Sequence, residues 1–300
     1  MSLAPWIAAA RPKTLTAALV PVVAGSALGA RLSLATEFAW FVSLAALISA
    51  TAIQVGTNLF NDVLDFEKGA DTAARVGPTR ITQSGGASPE RVYRVAIGTF
   101  LVAILFGAYL VWHGGAPILI IGLLSLLFGY AYTGGPYPLA YRGLGDLFVL
   151  IFFGIVAVTG MVFLHTGFWP FAGFVAGLQI GSLAVVLIAI NNLRDRETDS
   201  RVDKRTLAVI LGERGAKIEI VALLIAPFLL GLYWVETPFS WAAVLPLVLL
   251  PFAVRVAREI WAMKPSGELN RYLGRCAFVH LGFGALLTIG FLLGAVPLGN

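Results

Sequence analysis

Charge is what this 300-residue chain has least of. Only 12% of its residues are Asp, Glu, Lys or Arg, about half the share of an ordinary soluble domain. A single cysteine, Cys276, rules out an internal disulfide and a cysteine-based metal site. The three histidines, His113, His165 and His280, fall outside both acidic clusters described below, which argues against zinc and redox metals. No polar linker divides the chain, so it reads as one domain over residues 1–300. What it has instead is apolar length. Hydrophobic residues make up 58% of it, the mean hydropathy is +0.86, and apolar runs near the length of a membrane-crossing helix recur throughout. These features predict an all-α, polytopic membrane bundle embedded in the lipid bilayer. The net charge of +5 does not point to nucleic acid, because the basic residues gather in alternate loops.

Nine transmembrane helices are expected, at about 14–32, 37–60, 92–112, 118–132, 144–164, 168–190, 218–235, 239–256 and 272–296. Residues 1–13 read as an interfacial segment with Trp6 as an anchor, and as the lead into a first span rather than a signal peptide. With nine spans every Lys and Arg except Arg31 falls on one side of the membrane, together with the N-terminus. The positive-inside rule makes that side cytoplasmic and puts the C-terminus outside. In a bacterial cell this is the inner, cytoplasmic membrane. The longest polar segment, 61–91, contains Lys68, Arg75, Arg80 and Gly85-Gly86, and its Gly and Pro punctuation favours an ordered lid over a solvated linker.

Two acidic clusters follow directly on apolar runs. The second span ends in Asn58-Leu-Phe-Asn61-Asp62-Val-Leu-Asp65, which follows the apolar run from Phe38 to Val55. After the sixth comes Asn191-Asn192-Leu-Arg194-Asp195-Arg196-Glu197-Thr198-Asp199. On a helix, Asn58, Asp62 and Asp65 share one face, and so do Asn191, Asp195 and Asp199. Carboxylates near a helix C-terminus oppose its dipole, so two matching clusters ask for a cation between them. Carboxylate and amide oxygens are hard donors that suit magnesium, which bridges one or two carboxylates to substrate phosphates. Interleaved cations complete a site for a metal-held diphosphate. A cation-coupled secondary transporter is the alternative from another class, since acids in a bundle and a repeated four-helix unit also fit transport. The acids sit at span ends rather than at the midplane, however, and basic loops flank them.

The pair NDxxD and NNxRDxxxD, each ending a span of a nine-span bundle, resembles the UbiA superfamily of intramembrane prenyltransferases over nearly the whole chain. The strings GPTRITQSGG at 77–86, YTGGPYPLAYRGLGD at 132–146 and NNLRDRETDSRVDKRTLAV at 191–209 resemble its 1,4-dihydroxy-2-naphthoate polyprenyltransferase branch. Hydroxybenzoate-using relatives resemble one another in a lysine after the fourth span, where this chain has Gly134-Gly135. The resemblance implies transfer of a polyprenyl group from polyprenyl diphosphate to 1,4-dihydroxy-2-naphthoate, with loss of diphosphate and CO2, as in menaquinone biosynthesis. Homogentisate or 4-hydroxybenzoate would be the acceptor in other branches. It implies Mg2+ held by Asp62, Asp65, Asp195 and Asp199, with Asn58, Asn61, Asn191, Asn192, Lys68, Arg80, Arg194 and Lys204 around the diphosphate. Asp65 or Asp199 is the expected base, and Arg142 the expected partner of the acceptor carboxylate. Tyr130, Tyr132, Tyr137, Tyr141, Asp146 and Lys13 are further residues that could reach the site.

Overall fold

A computed structural model describes residues 3–33, 37, 39–71, 77 and 80–294, and among them there is helix and no strand. Arg75, Pro78, Thr79 and the end of the expected ninth span lie outside the described residues. The helices, in order, are α1 (Ala4–Ala10), α2 (Thr16–Leu32), α3 (Trp40–Glu67), α4 (Pro89–Ala131), α5 (Gly145–Thr166), α6 (Phe171–Arg201), α7 (Leu207–Trp234), α8 and α9 (Leu269–Leu293). Helix α8 is assembled from Trp241–Val244, Leu245–Leu249 and Leu250–Ala262.

Helix α4 is not one straight rod. Gly115 adopts φ 69, ψ −153 inside it, a conformation open to glycine and costly for other residues. The chain doubles back there. Phe100 from one arm and Tyr130 from the other both pack edge-on against Phe60 of α3. In a continuous helix those two residues would stand about 45 Å apart. The uncharged loop expected between the third and fourth spans is therefore a one-residue break.

Among the described residues six helices are long and apolar enough to cross a membrane, or seven when the bent pair Ala4–Thr14 and Thr16–Leu32 counts as one span. The shortfall from nine has local causes. The two arms of α4 abut at Gly115 with no loop between them, α2 has 17 residues, and prolines 246 and 251 interrupt α8. The helices also outlast their apolar runs. α3 continues to Glu67 and α6 to Arg201, so both acidic clusters lie within terminal helical turns, as the shared-face spacing predicts.

Helix α6 is the central post. Its most apolar window is 83% buried, against 17% for α4. It approaches α5 closely because both surfaces are glycine: a Cβ on Gly154 would stand 2.5 Å from the Gly177 carbonyl oxygen and 2.5 Å from the Gly181 Cα. Small residues four apart are how membrane helices come together when no hydrophobic force separates protein from lipid. Deep in this packing Gln179 donates to the Pro227 carbonyl and accepts from the Trp234 indole N–H, both at 2.8 Å. A buried amide is tolerated there because its groups are satisfied.

Candidate active site

The last turns of α3 carry the first cluster inward. Asn58, Asn61, Asp62 and Asp65 are all buried, Asp65 completely. Asp62 accepts from two backbone amides, Ile81 N–H on Oδ2 and Thr82 N–H on Oδ1, each at 3.1 Å. Ile81 itself packs among Leu59, Val63 and Leu64. The carboxylate and this apolar contact hold the described part of the polar segment, residues 80–87, down over the end of α3. Asp65 is surrounded by donors: Tyr141 Oη at 2.8 Å, Asn61 Nδ2 at 3.1 Å, Lys204 Nζ at 3.2 Å, with the Arg80 guanidinium at 3.8 Å. Arg80 also faces Asp71 at 3.5 Å.

The second cluster, on α6, meets the first through a lysine. Lys204 Nζ lies 3.2 Å from Asp65 and 3.8 Å from Asp199, so one ammonium reaches both motifs. Asp195 is gripped by the neighbouring Arg194 at 2.8 and 2.6 Å in a bidentate pair. Arg194 also donates to Asn191 at 2.7 Å and to Asn270 of α9 at 2.6 Å. Asn192 turns away toward Asp146 at 3.4 Å.

Tyr141 ties the halves together. Its ring carries Lys68 Nζ 4.6 Å and Lys204 Nζ 5.3 Å from the centroid, while its hydroxyl donates to Asp65. Burial first, and then the Asp65 carboxylate, push the phenol above its ordinary range, so it stays a donor. Lys68 also donates to the Thr133 carbonyl. Desolvation pulls its ammonium below the ordinary value, the Lys204 charge adds to that, and Asp65 opposes it.

Below these charges opens an apolar cavity of about 510 Å3, between α2, α3, α4, α5 and α6. Its mouth is polar: Arg11, Thr14, Asn58, Tyr132 and Asn191 line it, one asparagine from each motif. Its walls are apolar and often small, as with Ala46, Gly107, Gly122 and Gly160.

The expected residues thus divide. Asn58, Asn61, Asp62, Asp65, Lys68, Arg80, Lys204 and Asp199 gather at the cavity head, and Asn191 reaches the cavity itself. Arg194 is committed to Asp195, Asn191 and Asn270. Arg142 is exposed, lies over the Tyr137 ring at 5.0 Å, and does not line the cavity. Thr133 and Arg11 are the main additions. Tyr141 stood among the tyrosines flagged by position. Arg11 reads in sequence only as an orientation charge, because nothing in a linear string shows a left-handed arginine turning into a cavity.

Among the described residues no three His, Cys, Asp or Glu side chains form a ready-made metal cage. Oxygen donors alone, with carboxylates split between two helices, fit magnesium shared with a phosphate ligand better than an all-protein site. Asp62 and Asp65 on α3 and Asp195 and Asp199 on α6 could hold it.

The UbiA prenyltransferase family profile matches residues 18–282. The chain is 35% identical to the 1,4-dihydroxy-2-naphthoate octaprenyltransferase of Mycobacterium tuberculosis, over 89% of this chain and 90% of that one. It is 34% identical to the protein of the same name from Bacillus subtilis, over 94% and 90%. Among solved structures, a UbiA homolog from Aeropyrum pernix superposes with a TM-score of 0.69 at 15% identity, covering 92% of this chain and 97% of that one. A UbiA homolog from Archaeoglobus fulgidus bound to GPP and Mg2+ gives 0.59 at 15% identity, covering 94% and 99%.

Proposed function

The chain belongs to the UbiA prenyltransferase family, and from that premise we propose that it transfers a polyprenyl group from polyprenyl diphosphate to 1,4-dihydroxy-2-naphthoate. Diphosphate and CO2 leave, and the product is a demethylmenaquinol. The observation that carries this reading is the meeting of the two motifs, through Lys204, at the polar mouth of an apolar cavity. A diphosphate belongs among the cations and a hydrocarbon tail belongs in the cavity. The acceptor follows the relatives' names.

In this reading Asp62, Asp65, Asp195 and Asp199 would hold Mg2+, which would supply positive charge against that growing on the departing diphosphate. Lys68, Arg80 and Lys204 orient that group and share its charge. Asp65 and Asp199 hold the lysine and the oxygen-donor geometry in place. Asp65 already accepts from three donors, Tyr141, Asn61 and Lys204. The allylic C1 is then set at the cavity mouth, between Asn58 and Asn191, where a flat ring can lie against it. Attack at the carboxyl-bearing ring carbon forms the new C–C bond. Loss of CO2 returns the electron pair of the broken C–C bond to the ring, so no ring proton has to be removed.

Nine spans, an N-terminus and active site on the cytoplasmic side, and residence in the cell inner membrane are parts of the same proposal. Support comes from the confinement of every Lys and Arg but Arg31 to one face. The test is turnover by purified protein with Mg2+ and a long prenyl diphosphate, offering naphthoate, 4-hydroxybenzoate and homogentisate in parallel. Product from naphthoate that disappears with chelator and returns with Mg2+ is the expected outcome. Chelator-insensitive turnover, or a different preferred acceptor, would overturn it.

A further inference from the structure

Arg11 is, among the described residues, the one charged side chain that lines the apolar cavity. It is also one of only two non-glycine residues with positive φ among the described residues, at φ 54, ψ 67. An arginine in the left-handed region is strained, and such strain persists only where the surroundings impose it. Here they do. Asn58 Nδ2 donates to the carbonyl of the preceding Ala10 at 3.1 Å. The Arg11 N–H donates to Ala8, and its carbonyl accepts from the Thr14 N–H at 2.8 Å and the Thr14 hydroxyl at 2.9 Å. The backbone is pinned on both sides of the outlier, and one of the pins is a residue of the first motif.

The side chain is aimed as well as anchored. Arg11 Nη2 donates to Asn61 Oδ1 at 2.6 Å, and Arg80 Nη1 donates to the same oxygen at 2.8 Å. One amide oxygen therefore separates two guanidiniums with different duties. Arg80 faces Asp65 and Asp71, while Arg11 lies on the cavity lining beside Asn58, Asn191 and Tyr132.

A cation at the head of an apolar slot calls for an anion with an apolar body. The diphosphate already has Lys68, Arg80 and Lys204. The remaining anion in the proposed reaction is the ring carboxylate of the acceptor. Without a counter-charge, bringing that carboxylate against apolar walls would be prohibitive. A guanidinium meets a carboxylate through a planar, two-pronged pair, which also fixes the plane of the attached ring. We propose that Arg11 receives the acceptor carboxylate and makes the site select aryl carboxylates over neutral phenols. This inference rests on the proposed function for the identity of the acceptor, and it gives Arg11 the role that Arg142, stacked on Tyr137, does not fill.

The test compares kcat/KM for 1,4-dihydroxy-2-naphthoate with that for 1,4-naphthalenediol, which lacks the carboxylate, in wild type, Arg11→Gln and Arg11→Lys. The expected result is that Arg11→Gln shrinks the preference for the carboxylate by about ten-fold or more, the scale of a charged hydrogen-bonded contact. The KM for prenyl diphosphate should stay near the wild-type value, and Arg11→Lys should recover part of the preference. Equal losses with both acceptors, or a rise in the prenyl diphosphate KM alone, would overturn the assignment and give Arg11 to the diphosphate. If Arg11→Gln loses its thermal transition, Arg11→Lys carries the comparison: a preference equal to wild type would then remove the two-pronged pairing. If wild type turns over no naphthoate, the proposed function fails separately, and the readout becomes equilibrium binding of 2-naphthoate against 2-naphthol. A selectivity unchanged in the variant would overturn the role of Arg11 there too.

Discussion

Replacing Asp62 by Ala should release the turn at residues 80–87 before it affects anything else. Asp62 accepts from the Ile81 and Thr82 amides at 3.1 Å each, and it is 1% exposed. A hydrogen bond to a charged acceptor contributes about 1.5–3 kcal/mol. Two of them would give about 3–6 kcal/mol if nothing replaced them, but the turn lies at the edge of the bundle and water recovers part. A net loss of about 3 kcal/mol corresponds to roughly a 100-fold drop in amide protection. Asp62→Asn keeps one acceptor oxygen and should lose about ten-fold, the share of one bond. Hydrogen exchange followed by mass spectrometry on a peptide spanning 80–87 reads this directly. The two variants should separate docking from chemistry, because the Asn variant keeps half the anchor but loses the charge needed at a metal site. Unchanged protection of that peptide in Asp62→Ala would refute the idea that this carboxylate holds the turn.

Lys204→Met leaves Asp65 and Asp199 without their shared ammonium; a fall in kcat/KM of about 100-fold or more is expected for a broken buried ion pair, and retention within a few-fold would contradict the bridging role. Gly154→Val forces a branched side chain into backbone atoms of α6 only 2.5 Å from its Cβ, so the melting temperature in detergent should fall by an overpacking cost of about 1–3 kcal/mol or more; an unchanged melting temperature would mean that α5 and α6 do not approach as described. Gln179→Leu strands the Trp234 N–H and the Pro227 carbonyl in an apolar interior; a stability loss of about 1–3 kcal/mol is expected in the same melting assay, with turnover per folded molecule preserved.

Much of this was readable in the linear string because membrane chemistry is severe. Apolar runs and one-sided basic loops identify helices without reference to packing, and the i, i+3/i+4 spacing of Asn58, Asp62 and Asp65 already places them on one face. Helix ends were less legible. The apolar runs stop near Phe60 and Ile190, but the helices run on to Glu67 and Arg201, because hydropathy marks where lipid ends rather than where hydrogen bonding ends. The Gly115 break was masked by helix on both sides of it. Site residues split in the same way. Asp65, Asp199 and Lys204 stand out in the string because charge near a bilayer is rare, and the structure brings them together. Tyr141 could be flagged only by position, since its partners come from segments more than sixty residues away on each side. The place of Arg11 on the cavity lining depends on a backbone dihedral that no linear string shows, and the exposure of Arg142 cannot be read from a basic loop.

The most direct measurement of the central claim uses 1,4-dihydroxy-2-naphthoate labelled with 13C in its carboxyl group. Labelled CO2, diphosphate and prenylated naphthoquinol would be quantified together during turnover with Mg2+ and polyprenyl diphosphate. Decarboxylative prenyl transfer at the cavity mouth predicts the three in equal amounts. Diphosphate released without labelled CO2, or a prenylated product that keeps its carboxyl, would contradict it.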